Sequence, residues 1–279
     1  MDAATALASK APAPQRAAGS ARLVCGLRDG RTRLRRLYQD GAAKIRLPEA
    51  DGPLQAVLIN TAGGMTGGDR LAWTVEAGAG AGAIVTTQAC EKVYRAAAGR
   101  AEVSVRLAAG EGARIAWLPQ ETIVFDRAAF SRTLDVDLAA GAEALLVEAT
   151  VFGRLAMGER AAHGMFRDRW RVRQEGVLIH AEDFAVGPDI AGSLARPAAA
   201  GGATALATVL LVSAQVQSMV DEVRAVIGAE GGASFWTVGR SGKLLARLYA
   251  PDGYRLRRRL VPLLRLLNGQ AGLPGLWAS

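Results

Sequence analysis

The chain has 279 residues, a formal net charge of +8 and 5% aromatic side chains. That length suffices for one large core or two small ones, and no apolar run reaches the ~18 residues of a membrane-crossing helix. Only Lys10, Lys44, Lys92 and Lys243 are lysines; an arginine-dominated excess, with no zinc-finger spacing or aromatic-basic RNA signature, argues for an acidic protein partner over nucleic acid.

Residues 1–22, MDAATALASKAPAPQRAAGSAR, are rich in Ala, Pro and Ser. They lack a basic start followed by an apolar run, so a disordered tail is expected rather than a secretory signal, and the protein is expected in the cytoplasm. Residues 23–279 are expected to form one domain, β-layered over about 23–200 and α+β over about 201–279. Cys25 and Cys90 read as small buried hydrophobes rather than a disulfide pair.

At 57–71 the sequence VLINTAGGMTGGDRL runs a strand into two glycine pairs. A phosphate-binding P-loop needs a Lys followed by Ser or Thr after its last glycine, and a Rossmann turn needs a glycine where Ala62 stands. The stretch after it, DRLAWTVEAG, is strand-like. The glycines therefore read as tight turns that let another backbone approach, with Asp69 and Arg70 forming an ion pair or capping the turn.

Three segments then align: WTVEAGAGAGAIVTTQ at 73–88, VSVRLAAGEGARIAWLPQ at 103–120 and LDVDLAAGAEALLVEAT at 134–150. Each is an alternating strand, a small-residue turn and a second strand, and Gly78, Gly110 and Gly141 recur at near-equal spacing. A weaker fourth copy, WRVRQEGVLIHAEDF at 170–184, turns at Gly176. In LDVDLAAG, Leu134, Val136 and Leu138 face one way and Asp135 and Asp137 the other. Equal spacing favours a mainly β fold of stacked or helical β layers over an ordinary sandwich of similar hairpins. Between the second and third copies, WLPQETIVFDRA at 117–128 sets polar residues among apolar strands, as satisfied buried groups or as a cavity lining.

Two α-helices are expected in the C-terminal portion. AQVQSMVDEVRAVI at 214–227 carries Val216, Met219, Val220, Val223, Val226 and Ile227 at helical spacing and stops at Gly228. It follows the strand TALATVLLV and precedes a hairpin, SFWTVGRSGKLLARLY, turning near Arg240–Gly242. YRLRRRLVPLLRLLN at 254–268 has a Leu256, Leu260, Leu263, Leu264, Leu267 stripe, with Pro262 expected to kink or break it. Arg255, Arg257, Arg258 and Arg259 read as a solvated face.

Catalytic signatures are sparse. There is no GxSxG elbow and no zinc spacing. His163 and His180 read as ordinary surface or half-buried residues, although H-A-E-D at 180–183 could offer a transient oxygen and nitrogen site to a divalent ion. A β-helical hydrolase using Asp135 and Asp137, or a basic nucleic-acid binder, are the alternative functions.

Taken together, NTAGGMTGGDRL at 60–71, TTQACEKVYRA at 86–96, WLPQETIVFDRA, FGRLAMGE at 152–159 and VPLLRLLN at 261–268 resemble the urease accessory protein UreD family, called UreH in some organisms. The likeness runs from about residue 28 to the end; Cys90 stands where a small residue such as Ala is expected. The resemblance implies a non-enzymatic scaffold that binds apo-urease with UreF- and UreG-type partners and helps deliver nickel, with no nucleic acid and no membrane involved. It implies a β-helix-like stack with two helices, and no tightly bound cofactor. It also implies a polar internal route that nickel crosses transiently, with Asp69, Glu182, Thr86 and Thr87 as its candidate residues. On that expectation Asp69→Ala spares the fold and the complex but lowers urease activation.

Overall fold

The computed structural model describes residues 15–50, 52–238 and 241–277. In chain order the strands are β1 (Ala18–Arg28), β2 (Arg31–Gly41), β3 (Ala43–Arg46), β4 (Leu54–Asn60), β5 (Arg70–Ala77), β6 (Gly82–Thr87), β7 (Glu91–Val93), β8 (Ala101–Ala109), β9 (Arg114–Leu118), β10 (Thr122–Val124), β11 (Ala128–Leu138) and β12 (Glu143–Phe152). They continue with β13 (Gly164–Gln174), β14 (Val177–Val186), β15 (Ala205–Val212), β16 (Gly231–Val238) and β17 (Ser241–Ala250). The α-helices are α1 (Ile190–Ala195), α2 (Val216–Ile227) and α3 (Gly253–Asn268).

The repeats make a two-sheet stack. The first strand of each repeat, β5, β8 and β11, joins a seven-stranded sheet ordered β14-β13-β11-β8-β5-β1-β2. The second strand, β6, β9 and β12, joins a ten-stranded sheet whose main path runs β16-β17-β15-β12-β9-β6-β4-β3. Strands of successive coils pair in parallel without slippage, Ala77 on Ala109 and Ala109 on Leu138. This is the stacked β architecture that the spacing predicts, because each coil can bury its apolar face only on its neighbours.

The coil corners repeat in one pattern. The N–H groups of Ala81, Ala113 and Ala142 donate to the carbonyls of Gly78, Gly110 and Ala139. Gly80, Gly112 and Gly141 take left-handed φ of +64°, +60° and +65°, a conformation that costs any residue with a Cβ. The structural equivalents are therefore Gly80, Gly112 and Gly141. The sequence alignment through Gly78 and Gly110 is out of step with Gly141, because alternating Ala and Gly leave the phase open.

Three further expectations are corrected. The expected tail overlaps β1, which starts at Ala18 and pairs with β5 from Ala18↔Arg70 to Cys25↔Ala77; residues 1–14 lie outside the described residues. The fourth repeat copy does not cross between sheets. Its strands form an antiparallel hairpin in the first sheet, and the turn residues Glu175 and Gly176 both have positive φ, the geometry of a tight hairpin turn. A third helix, α1, is present, capped by Asp189, whose side chain accepts from Gly192 N–H at 2.8 Å. At the predicted β16–β17 turn Val238 pairs with Ser241, while residues 239–240 lie outside the described residues.

Two apolar layers result. One fills the space between the sheets, around Leu23, Val75, Leu134, Trp170 and Phe166. The other lies between the ten-stranded sheet and α2, α3 and Trp277. Strand β12 serves both: Ala144, Leu146 and Phe152 face the first layer, Leu145, Val147 and Ala149 the second. A strand covered on both faces reads as an almost continuous apolar run, as EALLVEATVF does. Each such fully buried aliphatic or Phe side chain contributes about 1.5–3 kcal/mol. Helix α3 runs unbroken through Pro262, and its N-cap Asp252 accepts from Arg255 N–H at 2.8 Å.

Candidate functional site

Three charged side chains interrupt apolar rows that point between the sheets. On β11 the inward row is Phe130, Arg132, Leu134; on β13 it is Phe166, Asp168, Trp170; on β12 Glu148 lies in the row between Leu146 and Phe152. Arg132, Glu148 and Asp168 are all buried. The Arg132 guanidinium donates to Asp168 through Nε at 3.1 Å and Nη2 at 2.7 Å, and to the Thr122 hydroxyl at 3.1 Å. Its Nη1 lies 2.5 Å from Glu148 Oε2, off the line of a hydrogen bond, so that oxygen has a charge contact but no directed donor. Trp117 Nε1 donates to Glu148 Oε1 at 2.9 Å.

The triad carries two negative charges against one positive. Burial pushes the Glu148 carboxyl up to about 7, against the opposing pull of Arg132, and the neighbouring Asp168 charge pushes it further. Burying an excess charge is costly, and taking up a proton relieves it.

Glu148 and Asp168 form the floor of a cavity of about 130 Å³ between the two sheets. Its walls include Trp170, Phe184, Thr208 and Tyr249, and Glu182 and Arg247 stand there too. Glu182 projects inward from β14 opposite Trp170, and its carboxylate lies 2.5 Å from Arg247 Nη2 on β17. This ion pair joins the first sheet to the second. The Trp170 Nε1 and His180 Nε2 atoms nearby are buried without a hydrogen-bond partner. Burial and the cations Lys243, Arg247 and Arg171 hold His180 down at about 4, so its ring is neutral near pH 7.

The other expected site residues lie elsewhere. Asp69 is buried, and its carboxylate turns back on its own chain: Oδ1 accepts from Ala17 N–H at 2.8 Å and Oδ2 from Thr66 N–H at 2.7 Å. Of the two readings of the Asp-Arg pair, the turn cap is the observed one; Arg70 pairs with Glu102 at 3.2 Å instead. The glycine loop is pressed onto the 92–99 segment, and a Cβ on Gly67 would sit 2.2 Å from the Ala98 carbonyl oxygen. Beside it, Asn60 Nδ2 donates to both Glu91 oxygens at 3.1 and 3.2 Å. Burial nevertheless pushes Glu91 up to about 7.

Thr86 is buried with its hydroxyl unpartnered. By strand alternation it shares the face of Ile84, which packs toward the helices, so it lies on the opposite side of the ten-stranded sheet from Glu148. The Thr87 hydroxyl donates to Ala89 O at 3.0 Å and accepts from Gln120 N–H at 2.8 Å. The structure thus brings Glu182 together with Glu148 and Asp168, and does not bring Asp69, Thr86 or Thr87 to them.

The polar knot at 119–122 resolves into two satisfied networks. Thr122 joins the triad. Gln120 and Glu121 face helix α3, where Arg257 Nη1 donates to Gln120 Oε1 at 2.9 Å and Glu121 Oε1 at 3.0 Å. Arg257 therefore points inward and is no part of a solvated face; its guanidinium also lies 4.9 Å from the Trp277 ring centre. The Cys90 thiol donates to Glu121 at 3.4 Å. Burial, and then the Glu121 charge, push Cys90 up to about 11; burial does the same for Cys25. Asp135 and Asp137 lie on the outer face of the first sheet, Asp135 opposite Arg106 and Arg171, away from the cavity. Among the described residues no group of three or more His, Cys, Asp or Glu side chains is arranged to hold a metal ion.

The sequence profile described as UreD urease accessory protein matches residues 17–278. The chain belongs to the UreD family. It is 72% identical over 269 residues to the urease accessory protein UreD of Mesorhizobium japonicum, covering 96% of each chain. It is 59% identical over 264 residues to urease accessory protein UreD 1 of Brucella abortus, covering 94% of each. With the UreD 1 protein of Brucella anthropi the identity is 57%, over 94% of this chain and 95% of the relative. These UreD relatives are named as accessory proteins rather than enzymes. Among the described residues no helix is long and apolar enough to cross a membrane.

The signal that marks the cavity floor was present in the sequence. Arg132, Asp168 and Glu148 each occupy a strand position whose neighbours two residues away are largely apolar, so alternation alone sends them inward.

Proposed function

We propose that this chain is a non-catalytic scaffold for nickel insertion into apo-urease, acting in the cytoplasm with UreF- and UreG-type partners. Membership of the UreD family supports the urease role. The observation that carries the nickel reading is the placement of Glu182 in a small cavity whose floor is Glu148 and Asp168.

Carboxylates suit a borderline dication such as Ni²⁺. A route must also release what it takes up. Arg132 serves that need: its guanidinium competes with an arriving cation for Glu148 and Asp168, so the ion is passed on rather than kept. Glu148, whose carboxyl burial raises to about 7, also binds a proton in competition with the cation. Asp69 and Thr87 lie away from this cavity and hold the β5 and β6 ends through backbone partners. Thr86 lies across the ten-stranded sheet from it.

The test is urease activation in cells that carry the urease genes and lack only this gene. Urease recovered from them should be nickel-poor and inactive, restored by the wild-type chain and poorly by Glu182→Gln. Urease with a full complement of nickel in those cells would overturn the proposal, and so would substrate turnover by the isolated chain.

A further inference from the structure

Strand β2 ends the seven-stranded sheet, and nothing among the described residues pairs with its outer edge. It is exposed at nearly every position. A free edge of 11 residues presents a row of unpaired backbone donors and acceptors. The two faces of β2 differ in chemistry. Leu37 sits opposite buried Leu23 and Leu34 opposite buried Cys25, so both continue the core row, yet they are 36% and 42% exposed. Arg36, Arg33 and Arg31 sit opposite Val24, Gly26 and Arg28 and share the outer row with Tyr38 and Asp40. None of these three arginines makes an ion pair among the described residues.

Beside the apolar row lies a groove of about 890 Å³, between the start of β2 and the 47–55 segment, lined by Leu27, Leu34, Leu47 and Leu54 together with Arg31, Arg33 and Glu49. It is the open end of the β stack. Stacked folds need a polar cap or a covering element at that position.

We propose that the outer edge of β2 receives an extended segment of a partner protein, in which acidic and apolar residues alternate. Such a segment adds one strand to the sheet. Its inward residues cover Leu37 and enter the groove at Leu34, and its outward carboxylates meet Arg31, Arg33 and Arg36. Charge decides against a second copy of this chain, since two β2 edges would set one arginine row against another. The inference goes beyond the nickel reading and does not depend on it.

The experiment is amide hydrogen exchange on the full chain with an end-capped synthetic peptide of alternating Glu and Val, against the same peptide with Lys for Glu. The Glu peptide should protect amides within residues 31–41 and the Lys peptide should not. In the triple variant Arg31→Glu, Arg33→Glu, Arg36→Glu, affinity for the Glu peptide should fall at least about tenfold, as loss of close charge pairs predicts, and the preference should swap to the Lys peptide. Equal protection by both peptides overturns the proposal. So does protection of β2 through concentration-dependent self-association, or by a single-stranded DNA oligonucleotide and neither peptide.

Discussion

Arg132 and Asp168 stand in direct register on adjacent parallel strands, joined by two hydrogen bonds of 3.1 and 2.7 Å in the interior between the sheets. Removing the shared cation leaves two carboxylates, Glu148 and Asp168, buried without it. Arg132→Met should therefore cost about 3–5 kcal/mol, read from urea unfolding. Replacing the whole triad, Arg132→Met with Glu148→Leu and Asp168→Leu, should restore most of that loss, because it leaves no buried charge behind. A triple variant as unstable as the single one would refute this account of the interior.

Two groups, half-buried Glu91 and buried His180, give stability opposite dependences on pH. Glu91 is raised from an ordinary 4.5 to about 7, so between those values the folded state holds a proton that the unfolded state has lost. Its contribution is full below 4.5 and lost as pH rises through 7, with a slope of up to about 1.4 kcal/mol per pH unit; Glu148 acts in the same sense. His180 is lowered from 6.5 to about 4, so its contribution is present above 6.5 and lost as pH falls toward 4. Glu91→Gln should make stability rise more steeply from pH 4.5 to 7, and His180→Leu should flatten the rise between 4 and 6.5. Chemical denaturation across that range measures both.

The glycine loop should rank its own substitutions. At Gly67 a Cβ would meet the Ala98 carbonyl oxygen at 2.2 Å, whereas at Gly63, φ +74°, it would meet nothing within 4 Å. Gly63→Ala should thus cost only the left-handed penalty of about 1–2 kcal/mol, and Gly67→Ala more. Thermal midpoints of the two variants decide the order.

Asp69 and Glu182 should separate stability from nickel delivery. Asp69→Ala leaves two part-buried backbone N–H groups without their acceptor and should cost at most about 1–3 kcal/mol each, seen as a lower unfolding midpoint. Glu182→Gln loses only a pairing with a half-exposed Arg247, worth about 0–1 kcal/mol, and should leave the midpoint nearly unchanged. On the proposed function, Glu182→Gln lowers the nickel content of urease at equal amounts of folded protein, while Asp69→Ala does not.

Arg257 ties the chain end to the polar knot, through Gln120, Glu121 and the Leu276 carbonyl. Arg257→Ala should leave the Glu121 carboxylate buried without its cation. Faster amide exchange in residues 269–277, with the β stack unaffected, is the expected result.

The stack was legible because parallel coils repeat the same alternation, and the helices because Val216, Val220, Val223 and Leu256, Leu260, Leu263 keep their period. Strand β1 was not. Its first residues, Ala18, Gly19, Ser20 and Ala21, have little strand propensity, and they are extended because β5, far along the chain, supplies their partners. The glycine phase was lost in a run of alternating Ala and Gly that fits either alignment. At the candidate site alternation sends the charges inward, but a single charge within an apolar row belongs to no motif that marks it. The grouping of Glu182 with Glu148 and Asp168 needs the folding of β14 back onto β13, which a reading of the hairpin as another coil obscures.

The indole N–H of Trp277 donates to the carbonyl of Leu118 at 3.0 Å, so residue 277 seals a coil made much earlier in synthesis. Until α2, α3 and Trp277 have left the ribosome, the helix-facing side of that sheet, with Ile84, Ala116 and Leu118, has no cover. A nascent chain of this kind presents a wide greasy surface until those elements dock, and delaying them should favour clumping over maturation.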